Sequence, residues 1–358
     1  MWRYAERLPV DDTASIVTLG EGQTPLLDVT EQLADELGVE RVLLKAEDRN
    51  PTGSFKARIA SVALSLVRER GLRGVVGTSS GNGGAAAAAY AASSRSQAIL
   101  FTLSDTVDVK MNEILAVDGT AIRVRGVGHD AASTLRVAHA LADLSEAHRF
   151  YPMLTAFAFA PEAMQGVQTI AWEIMDEAPD VTVVYTPVGG GGLLTGLSKG
   201  FGSGPGSPRL VGVHPSGASA LKHALRGDFG GVDGLVQTSI SGLQMAALYD
   251  AAGASQAILR SAGHARSVSD AEVLDAQRML AKRCGVVVEP AGAAAVAGII
   301  ADFRDGAIAR TDHVVAVLTG AGYKDAAALE ALSDVAAPNS IDESQVETVF
   351  EQLVGDDR

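Results

Sequence analysis

Short runs rich in Val, Ile and Leu alternate along this chain with longer segments whose apolar residues recur at helical spacing. The runs fall at Val42 to Lys45, Gly74 to Thr78, Ala98 to Leu103, Ala121 to Val124, Val181 to Pro187, Leu210 to Val213 and Val314 to Leu318. Nearly continuous apolar runs, each followed by a helical pattern, predict strands covered on both faces, and hence an α/β chain built on mostly parallel sheets. Cap chemistry marks several helix starts. Ser269 and Glu272 make a capping box, and Pro290 stands in the first turn of PAGAAAVAGII.

The strand-helix units between Gly74 and Met153 predict a compact block, and GSGPGSP at 202–208 reads as a surface loop inside a second block. With 358 residues and 47% hydrophobic content the chain is long enough for two cores. Beyond residue 336, Ile341, Val346, Val349, Phe350 and Leu353 stand among acidic residues, which predicts an amphipathic tail helix packed on the body or on a neighbouring subunit.

Charge narrows the partners. The 29 basic residues against 43 acidic ones give a net charge of -14, a surface that repels phosphate backbones and anionic membranes, so no nucleic acid and no membrane partner is expected. The opening MWRYAERLPVDD has no apolar targeting core, and no run approaches the roughly 18 apolar residues of a spanning helix. A cytoplasmic location is the expectation. The one cysteine, Cys284, cannot form an intramolecular disulfide and reads as a buried free thiol.

Candidate chemistry sits at strand-to-helix junctions. In Asn50-Pro-Thr-Gly-Ser-Phe-Lys-Ala-Arg58, Lys56 falls in a first helical turn, where the positive end of the helix dipole biases its amine toward the neutral, nucleophilic form. By itself it also reads as a surface lysine. Gly189, Gly190, Gly191 and Gly192, followed by Leu193, come straight after the strand VTVVYTP, where backbone amides unobstructed by a Cβ can face an anion. The alternative is a flexible turn, and the spacing is not that of a dinucleotide fingerprint. Thr78-Ser-Ser-Gly-Asn-Gly-Gly84 offers clustered hydroxyls and amides, or a plain helix cap. Thr319 ends the last strand at the carboxyl edge of the sheet, where open α/β sheets bind ligands.

Together and in this order these segments resemble the fold-type II pyridoxal-phosphate enzymes, the group of threonine synthase, the threonine and serine dehydratases and the tryptophan synthase β chain. The resemblance spans residues 20–333, from GEGQTPL to the last helix before the tail. It implies two domains with open, mostly parallel twisted sheets and an active site in the cleft between them: a large domain of 1–60 and 156–336, a small mobile domain of 61–155, and a helical tail at 337–358. It further implies pyridoxal 5'-phosphate as cofactor, Lys56 as its Schiff-base lysine and Asn82 against its ring hydroxyl. Gly189 to Gly192 and Leu193 would bind the phosphate, Thr319 would face the pyridine nitrogen, and Ser79, Ser80 and Gly83 would bind the substrate carboxylate. No metal is implied, since VGVHPSGA carries His214 where related racemases carry Glu-Pro, and His214 reads as a satisfied structural residue. A homodimer is the family expectation.

The implied activity is elimination or replacement on an amino acid. GEGQTPL, LTGAGYKD and SVSDAEVLDAQRMLAKRCGVVVEPAGAAAVAG look most like threonine synthase. Ala57 stands where threonine synthases typically have aspartate, and TAFAFAPEAMQGVQTIAWEI lacks the Asn-Pro-x-Arg pattern that supplies them a cation for the substrate phosphate. A threonine or serine dehydratase, or a diaminopropionate-type ammonia-lyase giving a 2-oxo acid and ammonia, is therefore the alternative. A non-catalytic pyridoxal-phosphate-binding protein is the alternative from another class.

Overall fold

The computed structural model describes the chain except residues 35, 80, 104–105, 128–129, 205, 231–235, 334–339 and 356–358. Strand β1 (Leu26–Asp28) runs antiparallel to β2 (Arg41–Lys45). The chain continues through α1 (Lys56–Glu69), β3 (Gly74–Ser79), α2 (Asn82–Ser93), β4 (Gln97–Leu103), α3 (Asp108–Leu115), β5 (Thr120–Val124), α4 (Ala131–Ala147) and β6 (Phe150–Pro152). It returns through α5 (Gln168–Glu177), β7 (Val183–Pro187), α6 (Gly192–Phe201), β8 (Arg209–Pro215), α7 (Ala220–Leu225), α8 (Ala251–Arg260) and β9 (His264–Val268). Then follow α9 (Asp270–Cys284), α10 (Pro290–Arg304), β10 (His313–Val317), α11 (Ala326–Glu330) and α12 (Val346–Gly355).

Two sheets result. One has the order β1-β2-β10-β7-β8-β9, parallel except at β1, and the other the order β5-β4-β3-β6, parallel throughout. The period of two along a strand distributes side chains between two cores. In β10, Val314 and Ala316 join the cluster that holds α9 and α10, whereas Val315 and Val317 join the cluster that holds α1 and α6. In β7, Val183 and Tyr185 face the first cluster and Val184 the second. That double coverage is why these strands read as unbroken apolar runs.

Strands β1, β6 and β9 were not predicted. All three are sheet edges; β1 and β6 are only three residues long, and β9 mixes His264, Arg266 and Ser267 with half-buried positions, so neither an apolar run nor alternation marks them. The capping box of Ser269 and Glu272 forms at the start of α9, and Pro290 is the first residue of α10. Two local expectations need correction. Cys284 is half-buried rather than buried, because it lies at the solvent-facing end of α9. His214 is buried with Nδ1 at 3.0 Å from the Pro215 carbonyl, but its Nε2 has no partner, so the ring is only half satisfied. In α12 the side chains of Val346, Phe350, Leu353 and Val354 are exposed. Among the described residues no helix is long and apolar enough to cross a membrane, and no group of His, Cys, Asp and Glu could hold a metal ion.

Candidate active site

The carboxyl ends of β3, β7 and β10 and the first turn of α1 open on one cleft between the two sheets. It is lined by Lys56, Asn82, Gly83, Gly189, Gly190, Gly191, Gly192, Leu193 and Thr319. Sheet topology makes this meeting: parallel strands present their following loops on one side, so junctions far apart in sequence converge. Ser79 is the last residue of β3, and Ser80 lies outside the described residues.

Lys56 begins α1, and its Nζ donates to Thr155 Oγ1 at 2.8 Å while standing 4.5 Å from the centroid of the Phe55 ring. Its pKa is pushed down to about 8, chiefly because burial disfavours the charged amine, with the charge of Asp250 opposing the shift. The sequence had suggested the helix dipole as the cause. In the structure burial lowers the pKa, and only the tertiary packing creates that burial.

The glycine turn runs from β7 into α6, with Gly191 at φ +88°. A Cβ on Gly189 would stand 2.7 Å from the Gly242 carbonyl oxygen, and one on Gly192 would stand 2.7 Å from Met164 Cε and 2.9 Å from the Thr155 carbonyl oxygen. Larger residues would force these segments apart. The first-turn N–H groups of α6 have no intrahelical partner and carry the positive end of its dipole, which suits a phosphate.

Thr155 and Glu289 line the cleft and Asp250 stands behind it, none of them marked by its own local sequence. Thr155 follows β6 in an irregular segment. Asp250 is buried and accepts from the backbone N–H of Phe157 at 2.7 Å and of Ala158 at 2.9 Å, which pins the segment that carries Thr155. Burial raises the Asp250 pKa, against those two hydrogen bonds and the charge of Lys56. Glu289 accepts from Asn82 Nδ2 at 2.6 Å and from Lys110 Nζ at 3.1 Å. The only available hint for Glu289 was its place before Pro290, at the cap position of α10.

Behind Lys56, α1 is anchored by a charge cluster. Arg58 donates to Glu47 at 2.8 and 2.6 Å and to Glu173 at 2.7 Å through each of two nitrogens, and Lys45 Nζ lies 3.0 Å from Glu173; all four residues are fully buried. Burial alone would raise the Glu173 pKa, but the hydrogen bonds and charge of Arg58, with the charge of Lys45, hold it down to about 2. Lys45 also reaches Glu177 at 3.3 Å, and the bidentate geometry of Arg58 sets the position of the first turns of α1.

The profile of the family described as "Pyridoxal-phosphate dependent enzyme" matches residues 17–320. The chain is 32% identical to threonine synthase of Methanocaldococcus jannaschii over 91% of its own length and 80% of that protein's. It is 35% identical to threonine synthase of Synechocystis sp., over 90% and 82%. The solved structure of threonine deaminase from T.th. superposes with a TM-score of 0.70 at 31% identity, covering 85% of this chain and 94% of that one.

Proposed function

The chain belongs to the pyridoxal-phosphate dependent enzymes, and from that premise we propose that it is a lyase eliminating a β-substituent from a small amino acid that bears no phosphate, with Lys56 carrying the cofactor and moving the α-proton. The residues of the cleft fit the cofactor. Lys56 offers an amine of lowered pKa whose hydrogen bond goes to a hydroxyl and not a carboxylate. The glycine turn leaves a cradle that added Cβ atoms could enter only by displacing their neighbours, and Asn82 lines the same cleft.

When bound, pyridoxal phosphate supplies an aldehyde that captures the substrate's amine and a ring that draws electron density from its α-carbon. With a pKa of about 8, the Lys56 amine is neutral in about one molecule in ten at pH 7. Neutral Nζ accepts the proton of the α-carbon, and Thr155 Oγ1 sets the direction of approach. The backbone N–H groups of Gly189 to Gly192 and Leu193 would bind the phosphate. Asn82 would donate to the ring hydroxyl. Thr319 would offer the ring nitrogen a hydroxyl, which, unlike a carboxylate, would not hold it protonated and so would favour loss of a leaving group over transamination. Gly83, in the first turn of α2, would with Ser79 and Ser80 bind the substrate carboxylate.

One observation carries the choice of substrate. Among the described residues, the cations lining the cleft are Lys56 and Lys110, and Lys110 is already paired with Glu289. A substrate phosphate would add a second dianion to a space whose one phosphate cradle the cofactor fills, with no free cation among those residues to meet it. Serine, threonine and 2,3-diaminopropionate lack that requirement. The rival reading, replacement on phosphohomoserine to give threonine, is favoured by the names of the relatives matching 90% or more of the chain. Incubating the holoenzyme with each compound decides between them. A 2-oxo acid with ammonia from a hydroxy or diamino acid is expected, whereas threonine and inorganic phosphate from phosphohomoserine would overturn the choice.

The proposal includes the division into a large domain of 1–60 and 156–336 and a small domain of 61–155, a cytoplasmic location, and a homodimer. The exposed apolar residues Val346, Phe350 and Leu353 of α12 offer a surface for the second copy. A mass of one chain by light scattering would remove the dimer.

A further inference from the structure

We propose that Glu289 is a positioning residue whose carboxylate fixes which way the Asn82 amide faces, and that Lys110 makes this possible by neutralising the carboxylate. The inference rests on the reading that the cleft holds pyridoxal phosphate with Asn82 against its ring hydroxyl.

Glu289 occupies the cap position of α10, yet its side chain makes no capping hydrogen bond. It turns into the cleft instead and is 2% exposed. Its two oxygens are divided between two elements of the other sheet's layer: Oε1 accepts from Asn82 Nδ2 in the first turn of α2 at 2.6 Å, and Oε2 accepts from Lys110 Nζ in α3 at 3.1 Å. The residue after Thr319 is Gly320, where any Cβ would collide with Glu289 Oε1. Backbone, carboxylate and amide are thus closely packed beside the position proposed for the cofactor ring.

The chemistry of an amide makes this contact decisive. An asparagine side chain has an oxygen that accepts and a nitrogen that donates two hydrogens, and the two ends are nearly equal in shape, so its orientation is chosen by its neighbours. An ionised carboxylate only accepts. With Glu289 beside it, Asn82 must turn its nitrogen to that side, and planarity then fixes the direction of the second N–H. A ring hydroxyl that has lost its proton needs that donor. Reversed, the amide would offer its carbonyl oxygen to an anion. The carboxylate itself needs compensation, because a buried unpaired charge next to an anionic ring oxygen would repel it. Lys110, 1% exposed, supplies this and also donates to Ser241 Oγ at 3.2 Å.

Glu289→Gln is the informative change, because it alters no volume. Lys110 donates to the new amide's oxygen, which turns its NH2 toward Asn82, and Asn82 reverses to accept. Four proteins are compared: wild type, Glu289→Gln, Asn82→Ala and the double variant. Cofactor affinity is read from titration of the yellow band, ring orientation from visible circular dichroism, and integrity from melting of the cofactor-free protein. Glu289→Gln is expected to weaken cofactor binding about tenfold and change the visible dichroism in the wild-type background, and to have little effect once Asn82 is alanine. Unchanged affinity and dichroism overturn the inference. So does an equal loss in both backgrounds, which would mean that Glu289 acts elsewhere. A crystal structure of the wild-type holoenzyme tests the same point without any variant: the ring oxygen is expected within about 3.2 Å of Asn82 Nδ2, and a ring oxygen facing Oδ1, or Glu289 turned away, overturns it. A wild-type protein that takes up no cofactor overturns the reading of the cleft itself, whereas a yellow wild type with an unaffected Glu289→Gln overturns this inference alone.

Discussion

Lys56 Nζ donates to Thr155 Oγ1 over 2.8 Å, joining the first residue of α1 to a loop 99 positions later in the chain. That hydroxyl directs an amine that would otherwise have several rotamers open to it. Replacing Thr155 with Val keeps the shape and removes the acceptor. Turnover should fall about tenfold with cofactor affinity nearly unchanged, and Thr155→Ser should restore it, as measured by kcat and by titration of the yellow band.

Lys56 makes the cofactor-free protein pH-sensitive in a defined direction. Its folded pKa of about 8 lies below the ordinary 10.5, so the unfolded chain binds more protons between those values and stability rises with pH across that window. Below pH 8 the native state carries the full cost of a desolvated ammonium. Lys56→Met should therefore melt higher than wild type at pH 7, by at most about 3 kcal/mol, with the difference vanishing near pH 10.5. A constant difference across that range would contradict the assignment.

The same titration governs loading. Cofactor capture requires the neutral amine, so its rate should climb with pH and level off above about 8. Stopped-flow formation of the yellow band measures this. Lys56→Ala should form no such band and should lose turnover by about a thousandfold or more.

Gly192 distinguishes a close approach from simple flexibility. An alanine there would press on the Thr155 carbonyl oxygen at 2.9 Å and on Met164, at a cost of about 1–3 kcal/mol and with weaker cofactor binding. At Gly190 the nearest atom to an added Cβ is Tyr249 Cδ2 at 3.4 Å, so Gly190→Ala should cost the fold less. Denaturant melts of the two cofactor-free variants provide the comparison.

Arg58 supports the site from behind. Arg58→Met would leave Glu47 and Glu173 buried without their bidentate partner, with Lys45 still beside Glu173, and should destabilise the protein by about 3–5 kcal/mol. In wild type, Glu173 has a folded pKa near 2 against an ordinary 4.5, so its contribution is present above pH 4.5 and lost as pH falls toward 2. The deficit of the variant should accordingly be largest at neutral pH and shrink in acid, a trend that melting curves between pH 7 and pH 3 would reveal or refute.

Lys56, Asn82, the glycine turn and Thr319 each stood out as a junction where an apolar strand gives way to a helix, were given site roles only through the family resemblance, and line one cleft in the structure. Thr155 and Glu289 lie in stretches that carry the family resemblance, but nothing local marks their roles, and Asp250 carries no signal. Asp250 acts on the backbone of Phe157, and Glu289 reaches Asn82 from 207 positions away. Neither contact leaves a trace in the residues adjacent in sequence. The edge strands β1 and β9 escaped for a related reason, since strands covered on one side only need no apolar run.

The sequence by itself determined the parallel α/β architecture and the junctions at which chemistry could occur, because burial on both faces of a strand and the backbone freedom of glycine are properties of local residue order. Only the tertiary structure decided that Lys56 is desolvated and held by Thr155, that the Lys110 cation is taken by Glu289, and that the Asn82 nitrogen faces Glu289. Those outcomes depend on electrostatics and hydrogen bonding between groups that meet only when the two sheets close on one cleft.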